Sequence, residues 1–276
     1  MLDSLSALRA IDANIQIVIA DQSKHHSAQI MAQLREHCKN NVTHLRLSKP
    51  SIVAAMNVGL LENKASHILF LDDDIKPDPN LITEHRKCIA KYTTALIAGR
   101  VIQPWDNNQG IVNNSQENFS FNGLNECKSD LFMGGNFIVN RELALSLGGF
   151  DENFIATAHD YEREFSERIL NSGYEIIYNG AAAIHHLKAP NGGIRNYGKF
   201  LRTIKPHQAV SAYYYIFQSK SLLNKPLAVL RRLRQRLINR TQLRQPWWIP
   251  ITLISELGGL AWALGLIWNG PKLIAR

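Results

Sequence analysis

The spacing of apolar positions changes repeatedly along the 276-residue chain, and each change marks an element. Leu2, Leu5, Leu8 and Ile11 recur every third residue, which predicts an amphipathic helix over 2–13. Ile15 to Asp21 is a β-rich run that ends on an acid. Ile30, Met31 and Leu34 give a helix over 27–39, Val42 to Leu47 a strand, and 52–62 a further helix. Ile68-Leu69-Phe70-Leu71 is too short and too sharply bounded for a helix, and reads as a buried strand. It runs into Asp72-Asp73-Asp74, then into a turn stiffened by Pro77 and Pro79. A helix over 80–92 and a strand over 95–99 follow.

Residues 103–130 are rich in Asn, Gln and Ser and read as a long loop. Leu131 to Val139 reads as a strand interrupted by Gly134-Gly135, the mark of a bulge or of close approach by a ligand. Asn140 caps a helix that Gly148-Gly149 ends. Tyr161, Phe165 and Ile169 share one face of the next helix, and a strand from Tyr174 leads to His185-His186. Strands alternating with helices predict an α/β fold.

From about residue 206 the character changes, so the expected division is 1–205 and 206–276. Lys220 to Arg244 interleaves basic residues with leucines, the pattern of a basic amphipathic helix on an anionic membrane. An apolar run from Trp247 to Trp268 contains Glu256 as its sole charge. Its length is enough to span a bilayer, but the central acid and Gly258-Gly259 favour peripheral or re-entrant attachment. A pair of helices packed back on the main domain is the alternative.

Charge divides the chain in the same place. Residues 1–175 carry 16 Lys/Arg against 22 Asp/Glu, whereas 176–255 carry 13 Lys/Arg and no acid. No nucleic-acid-binding motif accompanies the basic stretch, so membrane phosphates are the expected partner and nucleic acid is not. Three scattered cysteines lack metal-ligand spacing and suit a reducing compartment. Met1-Leu2-Asp3-Ser4 has neither a basic start nor an apolar run, so no secretory signal is expected, and the cytoplasmic face of the membrane is the expected location.

The candidate chemistry concentrates at the acidic strand end. Asp72 and Asp74 alternate to one side of an extended backbone and Asp73 to the other. Two same-side carboxylates can grip a hard divalent ion, while the bland reading is an acidic turn capping the next helix. Asp160, at the start of its helix, reads from the residues alone as an N-cap. Asp21 reads equally as a cap for the helix near Ser27.

The strand with Asp72-Asp73-Asp74-Ile75-Lys76-Pro77-Asp78-Pro79, preceded by Ala54 to Leu60, resembles glycosyltransferase family 2, enzymes of the GT-A fold. Met133-Gly134-Gly135-Asn136-Phe137, Gly148-Gly149-Phe150-Asp151, and Asp160 ahead of Phe165, Arg168 and Gly173-Tyr174 match in order and spacing over roughly 15 to 195. The resemblance implies a Rossmann-like mixed sheet flanked by helices. It implies Asp160 as catalytic base, and Asp21, Asp72 and Asp73 as nucleotide contacts. Gly134, Gly135, Asn136 and His159 would line the donor and acceptor sites, His159 standing where the family has Glu. Asp74 and Asp72, with His186 or His185, would hold Mg²⁺ or Mn²⁺, with His186 favoured.

The family's usual first strand, central in its sheet, has no counterpart here. Its neighbours are therefore expected to carry unpaired backbone groups, unless another segment substitutes. The function expected from the resemblance is inverting transfer of a sugar from a nucleotide-diphosphate donor to a lipid-linked or cell-envelope glycan. The alternative is a non-catalytic, membrane-associated nucleotide or glycan binder. A nucleotidyltransferase would show a Gly-rich phosphate loop near its start, and none is present.

Overall fold

A computed structural model describes residues 8, 15–39, 42–92, 96–106, 121–189, 201–219 and 223–275. Leu8, buried in the main core, is the described part of the expected 2–13 helix. The rest of that helix, residues 107–120 of the expected 103–130 loop, residues 190–200 and Lys220 to Leu222 lie outside the described residues.

The chain begins as two β-α units. β1 (Ile17–Asp21), α1 (Ala28–Cys38), β2 (Val42–Arg46) and α2 (Ile52–Glu62) precede the acidic strand β3 (His67–Leu71). The caps are serines: Ser27 accepts from the Ile30 amide and Ser51 from the Ala54 amide. The β4 strand (Ile75–Pro77), α3 (Leu81–Lys91), β5 (Leu96–Ile102), β6 (Cys127–Ser129) and β7 (Asn136–Asn140) follow. Then come α4 (Arg141–Ser146), α5 (Tyr161–Asn171) and β8 (Ile176–His186). The remainder is helical: a 3-10 turn at Pro206–Gln208, α6 (Val210–Ser219), α7 (Lys225–Leu237), α8 (Arg240–Arg244), a 3-10 turn at Pro246–Trp248 and α9 (Ile249–Trp268).

The main sheet runs β3-β7-β5-β8-β4, with β6 also on β8. β5 and β8 are parallel and the other pairs antiparallel. The parallel pair β1-β2 forms a separate sheet. Among the described residues, β1 pairs only with β2 and β3 only with β7, so each presents one open edge.

Three sequence expectations are corrected. Ile75–Pro77 is a short strand on β8, not merely a turn, and Pro77 stands at its end, where a missing amide is tolerated. Cys127–Ser129, expected within a loop, pairs antiparallel with β8, and three residues are too few to show alternation. The strand expected from Leu131 begins only at Asn136, because Gly134 and Gly135 form the turn that leads into it.

The largest core lies between the main sheet and the helices, with smaller clusters at Cys88, Ile97, Ile138 and Ile177 and under β1-β2. Phe70 stacks on Phe137 at 4.8 Å, and Phe150 and Phe165 meet at 4.3 Å. Asn57, 2% exposed, accepts from the Phe150 amide and donates to the Phe150 carbonyl, tying α2 to the Gly148-Gly149-Phe150-Asp151 turn. Gly148 and Gly149 end α4 with φ of +84° and +66°, which glycine adopts without strain. Arg168 bonds Glu164 twice and donates to the carbonyls of Leu147 and Gly149. The recurrence of these sequence blocks therefore has a packing cause.

The C-terminal helices share this core. Val210, Tyr213 and Tyr214 are buried in it, and Tyr214 donates to the buried Asp151 at 2.6 Å. The backbone after α9 returns to the same turn, where Lys272 N donates to Asp151 Oδ1 and Ile274 N to the Gly148 carbonyl. The basic stretch is two helices rather than one, because Asn239 breaks the run and caps α8 through the Thr241 and Gln242 amides. The apolar run is one unbroken helix. Gly259 does not interrupt it; a Cβ there would collide with Ala209, so glycine permits α9 to close on the start of α6.

Candidate active site

β3 ends at Leu71, and the Asp72 amide bonds the Gly135 carbonyl at 3.3 Å. The chain then turns back into β4, which lies on β8 with Ile75 opposite His186. This pairing delivers the end of β8 to the acidic turn. Ligand atoms of Asp72, Asp74 and His186 all lie within 4.8 Å of one another. His186 Nε2 is 3.0 Å from Asp74 Oδ1 and 3.9 Å from Asp72 Oδ2. Its Nδ1 meets Gln103 Oε1 at 3.1 Å, which fixes the ring, and Ala189 N donates to Asp74 Oδ2 at 3.0 Å.

The other expected members of this group sit apart. Adjacent residues of a strand face opposite sides, so His185 turns away from the cluster and pairs with Asp78 at 3.3 Å. The expectation of His185 beside the two acids is thereby corrected: His186, not His185, is the histidine in the group. Asp73 is exposed and stands outside the group, in the bend between β3 and β4.

Gly135 and Gly134 are dictated by what crowds them. A Cβ on Gly135 would lie 2.7 Å from Asp72 Oδ2, and one on Gly134 would collide with the Tyr161 hydroxyl. Asn136 plays a different part from the one expected. It is 0% exposed, and its amide group bonds His85 Nε2, the Arg100 carbonyl and the Ala182 carbonyl. It holds β7 to β5 and β8 and has no surface left for a sugar. Burial pushes the His85 imidazole down to about 4, so the partner it offers Asn136 is a neutral ring.

The segment before α5 is held in strained backbone. Ala156, Ala158 and Asp160 have φ of 59°, 49° and 68°. Asp160 occupies the N-cap position, yet its side chain makes no capping hydrogen bond and instead lies 3.3 Å from Arg163 Nε. The simple capping role read from the residues is thus replaced by a carboxylate left for other work. Thr157 donates to the His207 carbonyl and Ser211 to the Ile155 carbonyl, and these bonds fasten the strained segment to the α6 region.

Glu162 connects the two carboxylate groups. Burial pushes its carboxyl up to about 7, the Gly134 amide opposes that shift, and the charges of Asp160 and Asp72 add to it. Asp72 and Asp160 therefore act on one shared neighbour. Tyr161, 5% exposed, is raised by burial and by Glu162 and Asp72. Burial lowers the His159 imidazole; Asp160 opposes this, while Arg232 and Arg236 of α7 reinforce it. Neither Glu162 nor the two arginines emerged from the sequence. An acid in a helix's first turn looks like an ordinary dipole partner, and the arginines are 70 residues away.

Asp21 lies at the end of β1, 7% exposed. Burial disfavours its charge, but the Ser23 amide, His44 at 2.8 Å and His26 at 2.7 Å outweigh that and hold its pKa well below the usual carboxylate range. The helix cap that was its alternative role belongs to Ser27.

The fold is a mixed sheet whose strand ends gather two carboxylates and an imidazole. The sequence model of Glycosyl transferase family 2 matches residues 1–148, more than half of the chain, and the chain belongs to that family. Its structure is similar to the crystal structure of GalNAc-T7 with UDP, GalNAc and Mn²⁺, at 14% identity and a TM-score of 0.53. The match covers 92% of this chain and 50% of that one, so the chain spans half the length of the structure it resembles. At that identity the likeness establishes the fold, which is GT-A. No curated protein matches the sequence significantly.

Proposed function

We propose that the protein is a metal-dependent inverting glycosyltransferase that moves a sugar from a nucleotide-diphosphate donor to a lipid-linked or cell-envelope glycan. The observation that carries this is the convergence of Asp72, Asp74 and His186 on one ion-sized space. Two carboxylates and one imidazole suit Mg²⁺ or Mn²⁺, hard to borderline ions that also take phosphate oxygens and water. Such an ion, when bound, supplies positive charge to the departing diphosphate.

The chain's own residues supply the rest. Asp160 takes the proton from the acceptor hydroxyl as that oxygen attacks the anomeric carbon. The carbon–oxygen bond to the diphosphate breaks on the opposite face, and the bonding pair leaves with the nucleotide diphosphate. Gly134 and Gly135 let the Tyr161 hydroxyl and the Asp72 carboxylate pack against the turn, and the raised Glu162 carboxyl limits the negative charge beside them.

The tail supports placement at a membrane. Thr252, Ser255, Glu256, Gly259 and Ala263 form the buried face of α9, whereas Leu253, Ile254, Leu257, Trp262, Leu264 and Trp268 are exposed. A helix with its polar side inward and its apolar side outward suits contact with lipid. Pro246–Trp268 is long and apolar enough to cross a bilayer. The inward polar face favours lying on the cytoplasmic surface, with 206–276 as the attaching segment.

The test is release of nucleotide diphosphate from a panel of nucleotide sugars, with and without Mn²⁺. Metal-dependent turnover is expected. Nucleotide binding without turnover would favour the second reading, a non-catalytic binder, which the open edges of β1 and β3 support.

A further inference from the structure

β3 and β5 are each antiparallel to β7, and β5 is parallel to β8, so β3, β5 and β8 all leave the sheet at one edge. That edge carries the Asp72, Asp74 and His186 group. The ladder between β5 and β8 sets Ile102 opposite His185. Three residues beyond Ile102 stands Trp105, and three beyond His185 stands Lys188. The two meet, with Lys188 Nζ 3.4 Å from the centre of the Trp105 ring.

Both partners are fastened to the group of acids and imidazole. Asp106 closes the turn that carries Trp105: its amide donates to the Gln103 carbonyl at 2.9 Å, and its carboxylate accepts from the Gln103 amide at 2.8 Å. The same Gln103 meets His186 Nδ1 at 3.1 Å. On the other side, Leu187 N donates to the Asp74 carbonyl at 2.7 Å and Ala189 N to Asp74 Oδ2 at 3.0 Å. These two bonds hold Lys188 between them at a φ of 51°.

A single exposed aromatic residue needs no explanation. Trp105 differs because its turn and its cation both fix it, yet it is 60% exposed. With the ammonium over one face, so high an exposure leaves the opposite face open. A rigid indole loses little conformational freedom when a ligand covers it. The proposed reaction narrows what that ligand is. The metal group takes the donor's diphosphate, and the groups that react beside it are the donor sugar and the acceptor glycan. A pyranose presents a face of C–H groups whose slight positive charge suits the negative face of indole, as a cation does. We propose that the open face of Trp105 is a stacking platform for a pyranose ring, with Lys188 holding the indole from behind. This deepens the transferase reading and rests on it for the class of ligand; the pyranose belongs either to the donor or to the acceptor.

The experiment uses the full chain and has two arms. The donor arm compares, by titration calorimetry with Mn²⁺, the affinity for UDP with that for UDP-glucose and UDP-N-acetylglucosamine. The acceptor arm measures binding to an array of immobilised oligosaccharides, with and without UDP and Mn²⁺. Trp105→Ala should lose about tenfold of the sugar binding, as expected for one stacked ring, and Trp105→Phe should recover part of it. A loss confined to the array assigns the platform to the acceptor. A loss confined to the advantage of the nucleotide sugars over UDP assigns it to the donor. Wild-type behaviour of Trp105→Ala in both arms would overturn the proposal, as would a wild type that binds no sugar in either. A loss that falls equally on UDP would also overturn it, because the ring would then serve the nucleotide or the turn itself. Failure of wild type to bind UDP with Mn²⁺, with Trp105-dependent binding kept on the array, would count against the transferase reading alone.

Discussion

His186 Nε2 stands 3.0 Å from Asp74 Oδ1, and the contact exists because β4 lies antiparallel on β8 in the register that sets Ile75 opposite His186. A separation of more than 100 residues in the chain becomes one hydrogen-bond length in space. The neighbouring His185, one residue earlier on the same strand, is turned to the other face and to Asp78.

The first prediction contrasts these two histidines. His186→Ala should weaken Mn²⁺ binding by about tenfold or more, since even partners one bond removed from a metal contribute that much. His185→Ala should leave it unchanged. Titration calorimetry with Mn²⁺ and UDP measures both, and equal losses would contradict the assignment of the ligand to one face of β8.

Asp160 supplies a separate test. Asp160→Asn keeps the size of the side chain and removes the proton acceptor, so transfer should fall by about 10²–10⁴-fold. Nucleotide affinity should be retained, because the proposed role of Asp160 is towards the acceptor hydroxyl alone. Turnover near wild type would refute the base assignment.

Gly135→Ala should act on the metal more than on the fold. The new Cβ meets the carboxylate end of Asp72, 2.7 Å away, and a flexible side chain can move aside. Unfolding by denaturant should therefore change little while Mn²⁺ affinity drops. Gly134→Ala meets the buried Tyr161 hydroxyl instead and should lower stability itself.

Glu162 predicts a pH dependence of stability in the absence of divalent ions. Its folded carboxyl is raised to about 7 from 4.5, so the folded state holds a proton that the unfolded state has released. The stabilisation is complete below about 4.5 and is lost as pH rises towards 7. It amounts to at most about 3 kcal/mol, less what solvent screening removes from a partly exposed group. Glu162→Gln should flatten that slope and be the more stable protein at pH 8. A parallel pH profile for the two proteins would remove Glu162 as the cause.

Arg232 and Glu256, 12% and 6% exposed, form a buried ion pair. Removing either partner alone leaves an uncompensated charge and should cost about 3–5 kcal/mol. The double replacement Arg232→Met with Glu256→Leu should restore most of that stability. A double-mutant cycle by chemical denaturation reads the coupling directly.

Much of this protein was determined by local sequence. The apolar run of β3, its three acids, the capping Asn140 and the glycine pair at 148–149 each fix their own conformation. Their order along the chain identified the family, because short-range sterics and hydrogen bonding act within a few residues. Tertiary structure decided the rest. Register on β8 selected His186 over His185, burial turned Asn136 from a sugar contact into a bolt between strands, and helix packing turned Arg232 and Arg236 inward. Those outcomes depend on which distant surfaces exclude water together, a property of the folded assembly that no neighbouring residues encode.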